Sequence, residues 1–191
     1  MKKIILASSS PRRKELLEQI GLEFEIDKSD YAEDMSLPMK PEELAKFLSG
    51  KKAEAVAHKY SAGIIIAADT FIVLENEILG KPHTEEKARE MLRKISGQVV
   101  HSVTGFTVFD AGSKKEISQA VSTKIFIKEL DQEEINNYVA TGETLDKAGA
   151  FGIQNKGTLI IEKIEGSYSN IVGLPLFEIG AALKEFGISI I

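Results

Sequence analysis

Ile4-Ile5-Leu6-Ala7-Ser8-Ser9-Ser10-Pro11-Arg12-Arg13 passes from a short apolar run straight into a helix start. Residues 4–7 have the pattern of a buried strand. Ser10 is a residue type whose side chain caps a helix, Pro11 suits the first helical position, and Gly21 suits the residue beyond the end. Leu16, Leu17 and Ile20 then give the predicted helix an apolar face. A buried strand feeding a helix through a tight polar junction is the unit from which α/β folds are built.

The rest of the chain extends that reading. Residues 28–40 are polar and irregular, and residues 41–60 read as a second helix with Leu44, Phe47, Leu48, Ala55 and Val56 at helical spacing. Residues 63–68 form an uninterrupted apolar run, as in a strand covered on both faces. The run is expected to stop at Asp69-Thr70, with a separate hairpin over 71–79 turning at Glu75-Asn76 and closing on Gly80-Lys81-Pro82. Thr84 is placed to cap a helix through Ile95. Residues 99–110 and 117–128 alternate around Ala111-Gly112-Ser113 as an antiparallel pair. A helix over 131–141, a strand over 158–164 and a last helix over 175–186 complete the pattern. Strands and helices alternate without a strict βαβ rhythm, so the fold expected is α/β, a mixed, curved sheet flanked by helices around a cleft.

The chain has 191 residues, 43% of them hydrophobic and 28% charged, with a net charge of −5. Such a chain can bury a sizeable core and is expected to form one domain, or two lobes sharing a cleft. The acidic balance argues against a broad basic surface, so no nucleic-acid polymer is expected as a partner. The chain contains no cysteine, which removes disulfides, thiolate metal sites and a cysteine nucleophile. Lys2-Lys3 and the apolar run after them imitate a signal peptide, but four apolar residues fall short of the ~7–15 a signal core needs. No run approaches the ~20 apolar residues of a membrane span. A soluble cytoplasmic protein is the expectation. His58, His83 and His101 lack metal-ligand spacing and read as surface or structural residues.

Three placements run against ordinary structural preference. Arg12 and Arg13 occupy the first turn of a helix, where the macrodipole favours acidic side chains and disfavours cations. Either the arginines are simply solvated, or an anion sits at the junction and meets backbone N–H groups, the hydroxyls of Ser8, Ser9 and Ser10, and two guanidinium forks. A phosphate chain fits those donors, although the Walker pattern of glycines and lysine is absent. Lys52 stands on the apolar stripe of its helix between Leu48 and Val56, so its ammonium must either snorkel out or meet a negative group. Asp69 follows a buried strand, where it is either a turn cap or, at a sheet's carboxyl edge, a metal ligand or general base. Lys81 and Glu33 carry weaker signals, a turn lysine and a loop carboxylate. In the segment from Asp146 to Gln154, small residues allow a ligand close to the backbone, and the Gln154 amide offers a donor and an acceptor. That segment is either a reader of a base edge or a packed turn.

In order along the chain, Leu6-Ala7-Ser8-Ser9-Ser10-Pro11-Arg12-Arg13-Lys14-Glu15-Leu16-Leu17, Lys52-Ala53-Glu54-Ala55, Ala67-Ala68-Asp69-Thr70, Gly80-Lys81-Pro82, Leu92-Arg93-Lys94-Ile95-Ser96-Gly97, Asp146-Lys147-Ala148-Gly149-Ala150-Phe151-Gly152-Ile153-Gln154 and Val172-Gly173-Leu174-Pro175 resemble the Maf family of nucleotide pyrophosphatases, once described as septum-formation inhibitors. Each motif is weak alone; the ordered set spans nearly the whole chain. Phe151 and Asn155 are its small departures.

The resemblance implies a fold like that of inosine-triphosphate pyrophosphatases, with residues 1–191 as a single domain of two lobes. It implies hydrolysis of a nucleoside triphosphate to the monophosphate and pyrophosphate with Mg²⁺ or Mn²⁺, and a homodimer. Asp69 matches the family's proton acceptor, and Glu33, Lys52 and Lys81 match charged active-site positions. Arg12, Thr70 and Gln154 match positions linked to substrate choice, and the Gln154 form of the segment resembles the branch acting on dTTP and UTP. On this reading Ser8, Arg12 and Arg13 grip the triphosphate and Glu33 and Asp69 hold the metal. A rival reading is a nucleotide-binding regulator of cell division with little turnover, and a third is a purine-type housekeeping pyrophosphatase.

Overall fold

The computed structural model describes residues 2–191. Strands β1 (Ile4–Leu6), β2 (Glu25–Ile26), β3 (Ile64–Leu74), β4 (Glu77–Leu79), β5 (Val99–Asp110), β6 (Glu116–Ile127) and β7 (Ile161–Glu165) belong to one mixed sheet. Its order is β2-β1-β3-β5-β6-β7, with β4 paired to β3. The helices are α1 (Pro11–Gln19), α2 (Pro41–Ala57), α3 (Glu85–Ile95), α4 (Gln132–Val139), α5 (Tyr168–Val172) and α6 (Leu176–Lys184). The mixed α/β class expected from the sequence is the class found.

The chain divides into two compact units. The first comprises residues up to Asp69 together with Thr104–Val121 and Gly173–Ile191; the second comprises Thr70–Val103 and Ser122–Val172. In the first unit β1 runs parallel to both β2 and β3, with Ile5 opposite Ile65 and Leu6 opposite Ile26. Ile5, Ile65 and Ala67 from these strands, with Ala7 just beyond β1, pack against Ala53, Val56 and Ala57 of α2. Helix and strand meet closely at Gly105 of β5, where a Cβ would lie 2.1 Å from the Ala45 carbonyl carbon. A hydroxyl chain reinforces the contact: Ser49 Oγ lies 2.9 Å from Thr107 Oγ1, which donates to Ser118 Oγ at 3.0 Å. In the second unit Leu92 and Ile95 of α3, Ile135 and Tyr138 of α4, and Ile125 and Ile127 of β6 share a core with Phe151 and Ile160.

The predicted junction forms as read. Ser10 caps α1 and Pro11 opens it. Gly21 takes φ +69° beyond its end, which turns the Leu22 N–H back to the Leu17 carbonyl at 3.2 Å, while the Gly21 N–H donates to the Glu18 carbonyl at 2.9 Å. Thr84 caps α3, and Asp131 with Glu134 completes a capping box on α4.

Two boundaries need correction. The strand expected to stop at Asp69 continues to Leu74, because Phe71, Ile72 and Val73 are themselves buried and Ile72 to Leu74 pair antiparallel with β4. What stops is the partner: the parallel register with β1 ends at Leu6 opposite Ile66. Asp69 therefore projects from the middle of a long strand just past the end of its shorter neighbour. The strand expected over 158–164 begins only at Ile161, since residues Asn155–Ile160 wind into a 3₁₀ helix after Asn155 takes φ +54°. β2 and α5, with two and five residues, had no counterpart in the sequence reading. Among the described residues no helix is long and apolar enough to cross a membrane.

Asp110 pins the N-terminal strand to the β5–β6 turn. Its carboxylate accepts from Lys2 Nζ at 2.7 Å and from the Gly112 and Ser113 amides at 2.9 and 3.3 Å, which holds its pKa down at about 2. A carboxyl group depressed on folding contributes stability above its unfolded value near 4, and that stability is lost as pH falls toward 2. Urea titrations between pH 5 and pH 2 should show Asp110→Asn less stable than the parent by on the order of 2 kcal/mol at pH 5, with the gap closing below pH 3. A gap that stays constant with pH would contradict this role.

Candidate active site

The Lys52 side chain is only 12% exposed, and its Nζ lies 2.7 Å from Glu33 Oε1 and 2.9 Å from Asp69 Oδ2. Of the two outcomes open to a lysine on an apolar stripe, this one meets negative charge. Leu48 and Val56, one turn to either side, are fully buried, so the ammonium could not be withdrawn from solvent without such partners. The two carboxylates differ in setting. Asp69 is fixed on β3 with a side chain 10% exposed, whereas Glu33 arrives from the irregular segment before α2 and stays 42% exposed. The anchored α2, held through Gly105, Ser49 and Thr107, fixes where the lysine begins.

The Ser8 to Arg13 junction is more internally bonded than the sequence implied. Ser8 Oγ accepts from the Ser10 amide at 3.2 Å and from Arg13 Nη1 at 3.3 Å. Ser10 Oγ caps the Arg13 amide. Arg13 Nε donates to the Gly173 carbonyl at 2.8 Å. Part of the Arg13 fork and both of those hydroxyls thus build the junction itself, a correction to the picture of every donor facing an anion. Burial pushes the Arg13 guanidinium below its ordinary value, Asp69 and then Glu33 pull it upward, and Arg12 pushes it down. Arg13 therefore feels the same carboxylates that hold Lys52. The Gly173 carbonyl was missed as a functional group; its only sequence signal was the glycine within Val172-Gly173-Leu174-Pro175.

Arg12 lies beside Arg13 in the first turn of α1 and is partly buried, whereas the second unit holds Thr70, Lys81 and Gln154. Thr70 follows Asp69 along β3 and is partly buried. Lys81 is exposed between Gly80 and the buried Pro82. Gln154 is partly buried in an extended conformation immediately before the 3₁₀ helix. The Gly80 carbonyl accepts from the Gly149 amide at 3.1 Å, so the turn bearing Lys81 is stitched to the segment leading to Gln154. His101, read as a surface or structural residue, lies 3.2 Å from Ser122 Oγ through Nδ1.

Glu33 and Asp69 are hard oxygen donors gathered on one cation, the ligand type that suits Mg²⁺ or Mn²⁺. No group of three His, Cys, Asp or Glu side chains able to hold an ion exists among the described residues. The donor set fits an ion that takes its remaining ligands from water and substrate phosphate.

The fold is shared with the solved Staphylococcus aureus Ham1 protein, at a TM-score of 0.56 and 16% identity over 97% of this chain and all of that one. Sequence similarity is narrower and deeper. The family model described as Maf-like protein matches residues 3–186, and the chain belongs to the Maf family. Proteins named dTTP/UTP pyrophosphatase from Methanococcoides burtonii and Methanosarcina mazei are each 51% identical over this whole chain and 98% and 97% of their own lengths. One of the same name from Alkaliphilus oremlandii is 46% identical over 96% of both chains.

Arg13→Lys keeps the charge but cannot span Gly173 and Ser8 as a planar fork does. Denaturant titration should show it destabilised by about 1–2 kcal/mol, with kcat/KM for a nucleoside triphosphate reduced at least ~10-fold. Parental stability and activity would contradict the bracing role.

Proposed function

We propose that the chain hydrolyses dTTP and UTP, and modified pyrimidine triphosphates of the same shape, to the nucleoside monophosphate and pyrophosphate. The observation that carries the reading is the Lys52 ammonium held by Asp69 and Glu33 in a Maf-family chain with full-length relatives named for that activity. A regulator that only binds nucleotide needs cationic groups but has no use for a carboxylate placed to accept a proton from water.

In the proposed reaction a water oxygen bonds to the α-phosphorus while the bond from that phosphorus to the α,β-bridging oxygen breaks. Pyrophosphate departs with the electron pair. Asp69 orients the water and accepts its proton, later released to solvent. Lys52 keeps the Asp69 carboxylate oriented and, with Arg12, Arg13 and Lys81, offsets the charge of the triphosphate and of the leaving group. Arg13 also braces the junction from which Arg12 and Ser8 are presented. Thr70 and Gln154 contact the pyrimidine. A divalent cation bound by Glu33 and Asp69 would supply charge neutralisation and a template for the phosphate oxygens. A homodimer and a cytoplasmic setting accompany the same reading, and sedimentation tests the first.

Asp69→Asn should retain nucleotide binding but lose at least ~100-fold in kcat, measured as pyrophosphate release from dTTP and UTP. Near-normal turnover with saturating metal would overturn the assignment. Chelation should abolish release, and Mg²⁺ or Mn²⁺ should restore it. Because two carboxylates alone make a poor site, Mg²⁺ without nucleotide should leave the thermal midpoint unchanged, while Mg²⁺ with a non-hydrolysable dTTP analogue should raise it. A large midpoint shift with metal alone would show that a protein-only metal site exists.

A further inference from the structure

Gln154 stands within a loop closed at its neck. Built on ideal geometry, a Cβ on Gly157 would lie 1.9 Å from the Gly152 carbonyl oxygen and 2.5 Å from the Tyr138 hydroxyl. The backbones at 152 and 157 therefore nearly touch, and the residues between them form a short loop that includes Gln154. The neck is pinned from below. Gly152 N–H donates to the Tyr138 hydroxyl at 3.3 Å, and Tyr138 lies on the buried face of α4 beside Ile135 and Val139. Burial pushes the Tyr138 phenol up to about 12, so it remains protonated throughout the working pH range.

A third contact closes the other side. A Cβ on Gly152 would meet Lys147 Cδ and Cε at 2.8 and 3.0 Å. Lys147 is itself tethered, its Nζ donating to the Glu143 carbonyl and, at 3.1 Å, to the Asp146 carboxylate. The turn that carries Glu143 grows directly from the end of α4, where Thr141 Oγ1 donates to the Tyr138 carbonyl at 2.7 Å and accepts from the Glu143 amide at 3.2 Å. Thus α4 governs the loop twice, through the Tyr138 hydroxyl and through the Lys147 stem.

We propose that Tyr138 is a positioning residue for base selection, setting through the Gly152–Gly157 neck how Gln154 presents its amide to the pyrimidine. The inference rests on the reading of Gln154 given under the proposed function. Its physical basis is the symmetry of a carboxamide. Uracil and thymine offer an N–H flanked by carbonyl oxygens, whereas cytosine offers a ring acceptor beside an amino donor. An amide matches either by turning over, so discrimination depends on how firmly its surroundings fix it. A loosened neck should therefore cost selectivity before it costs turnover.

The test compares kcat/KM for dTTP and dCTP in the full-length enzyme, with Tyr138→Phe, Gly157→Ala and Gln154→Ala beside the parent. Tyr138→Phe removes one hydrogen-bond acceptor and should lower the dTTP-over-dCTP ratio about 2–10-fold. Its kcat for dTTP should stay within about twofold of the parent, because one neutral hydrogen bond away from the reacting atoms is lost. Gly157→Ala, which forces the neck apart from the opposite side, should shift the ratio in the same direction. Gln154→Ala should remove most of the discrimination. If Gln154→Ala loses selectivity while Tyr138→Phe and Gly157→Ala, both folded by circular dichroism, keep it, the positioning role is wrong. If Gln154→Ala itself leaves the ratio unchanged, the base-reading assignment beneath it is wrong.

Discussion

A buried ammonium needs a carboxylate, and the chemistry proposed for this chain grows from how that need is met. Lys52 sits on the inward face of α2 with an almost covered side chain, and Asp69 and Glu33 converge on its Nζ. Removing both partners would leave the ammonium stranded at a site that water reaches poorly. The same arrangement holds Asp69 beside a cation and oriented on a strand, while Glu33 stays at the solvent side. On the proposed function, stability and reactivity are coupled in one cluster: what satisfies the lysine also holds the proposed base in place.

The architecture around the cluster explains why these residues meet. β1 is short and turns into α1 at Ser8, whereas β3 runs on. Asp69 therefore lies past the end of its parallel neighbour without lying at the end of its own strand. Helix α2 is seated on β5 so closely that position 105 admits only glycine, and this fixes the origin of the Lys52 side chain. Arg13 closes the arrangement from α1 by reaching the Gly173 carbonyl. Its guanidinium is engaged in structure at Ser8 and Gly173, so in the proposed function the grip on a phosphate chain is a shared task.

Much of this was legible in the sequence where the signal is local. Ser10-Pro11 and Thr84 announce helix starts because capping is a matter of a few adjacent atoms, and both caps formed. Lys52 was legible as a conflict between a charge and an apolar stripe, though nothing in the chain named Glu33 and Asp69 as its partners. The continuation of β3 through Asp69 was not legible, because a polar pair after an apolar run looks like punctuation until the pairing with β4 is known. β2 escaped for a related reason: two exposed residues become a strand only through their parallel partner. The 3₁₀ winding of 155–160 depends on Asn155 entering the left-handed region and on Gly157 meeting Gly152, contacts set by the folded neck rather than by apolar periodicity.

The central claim is that water attacks the α-phosphorus with pyrophosphate as the leaving group. Hydrolysis of dTTP in water enriched in oxygen-18, followed by phosphorus NMR of the products, tests it most directly. The account predicts one labelled oxygen on the dTMP phosphate and none in pyrophosphate. Label in pyrophosphate, or release of orthophosphate in place of pyrophosphate, would contradict it.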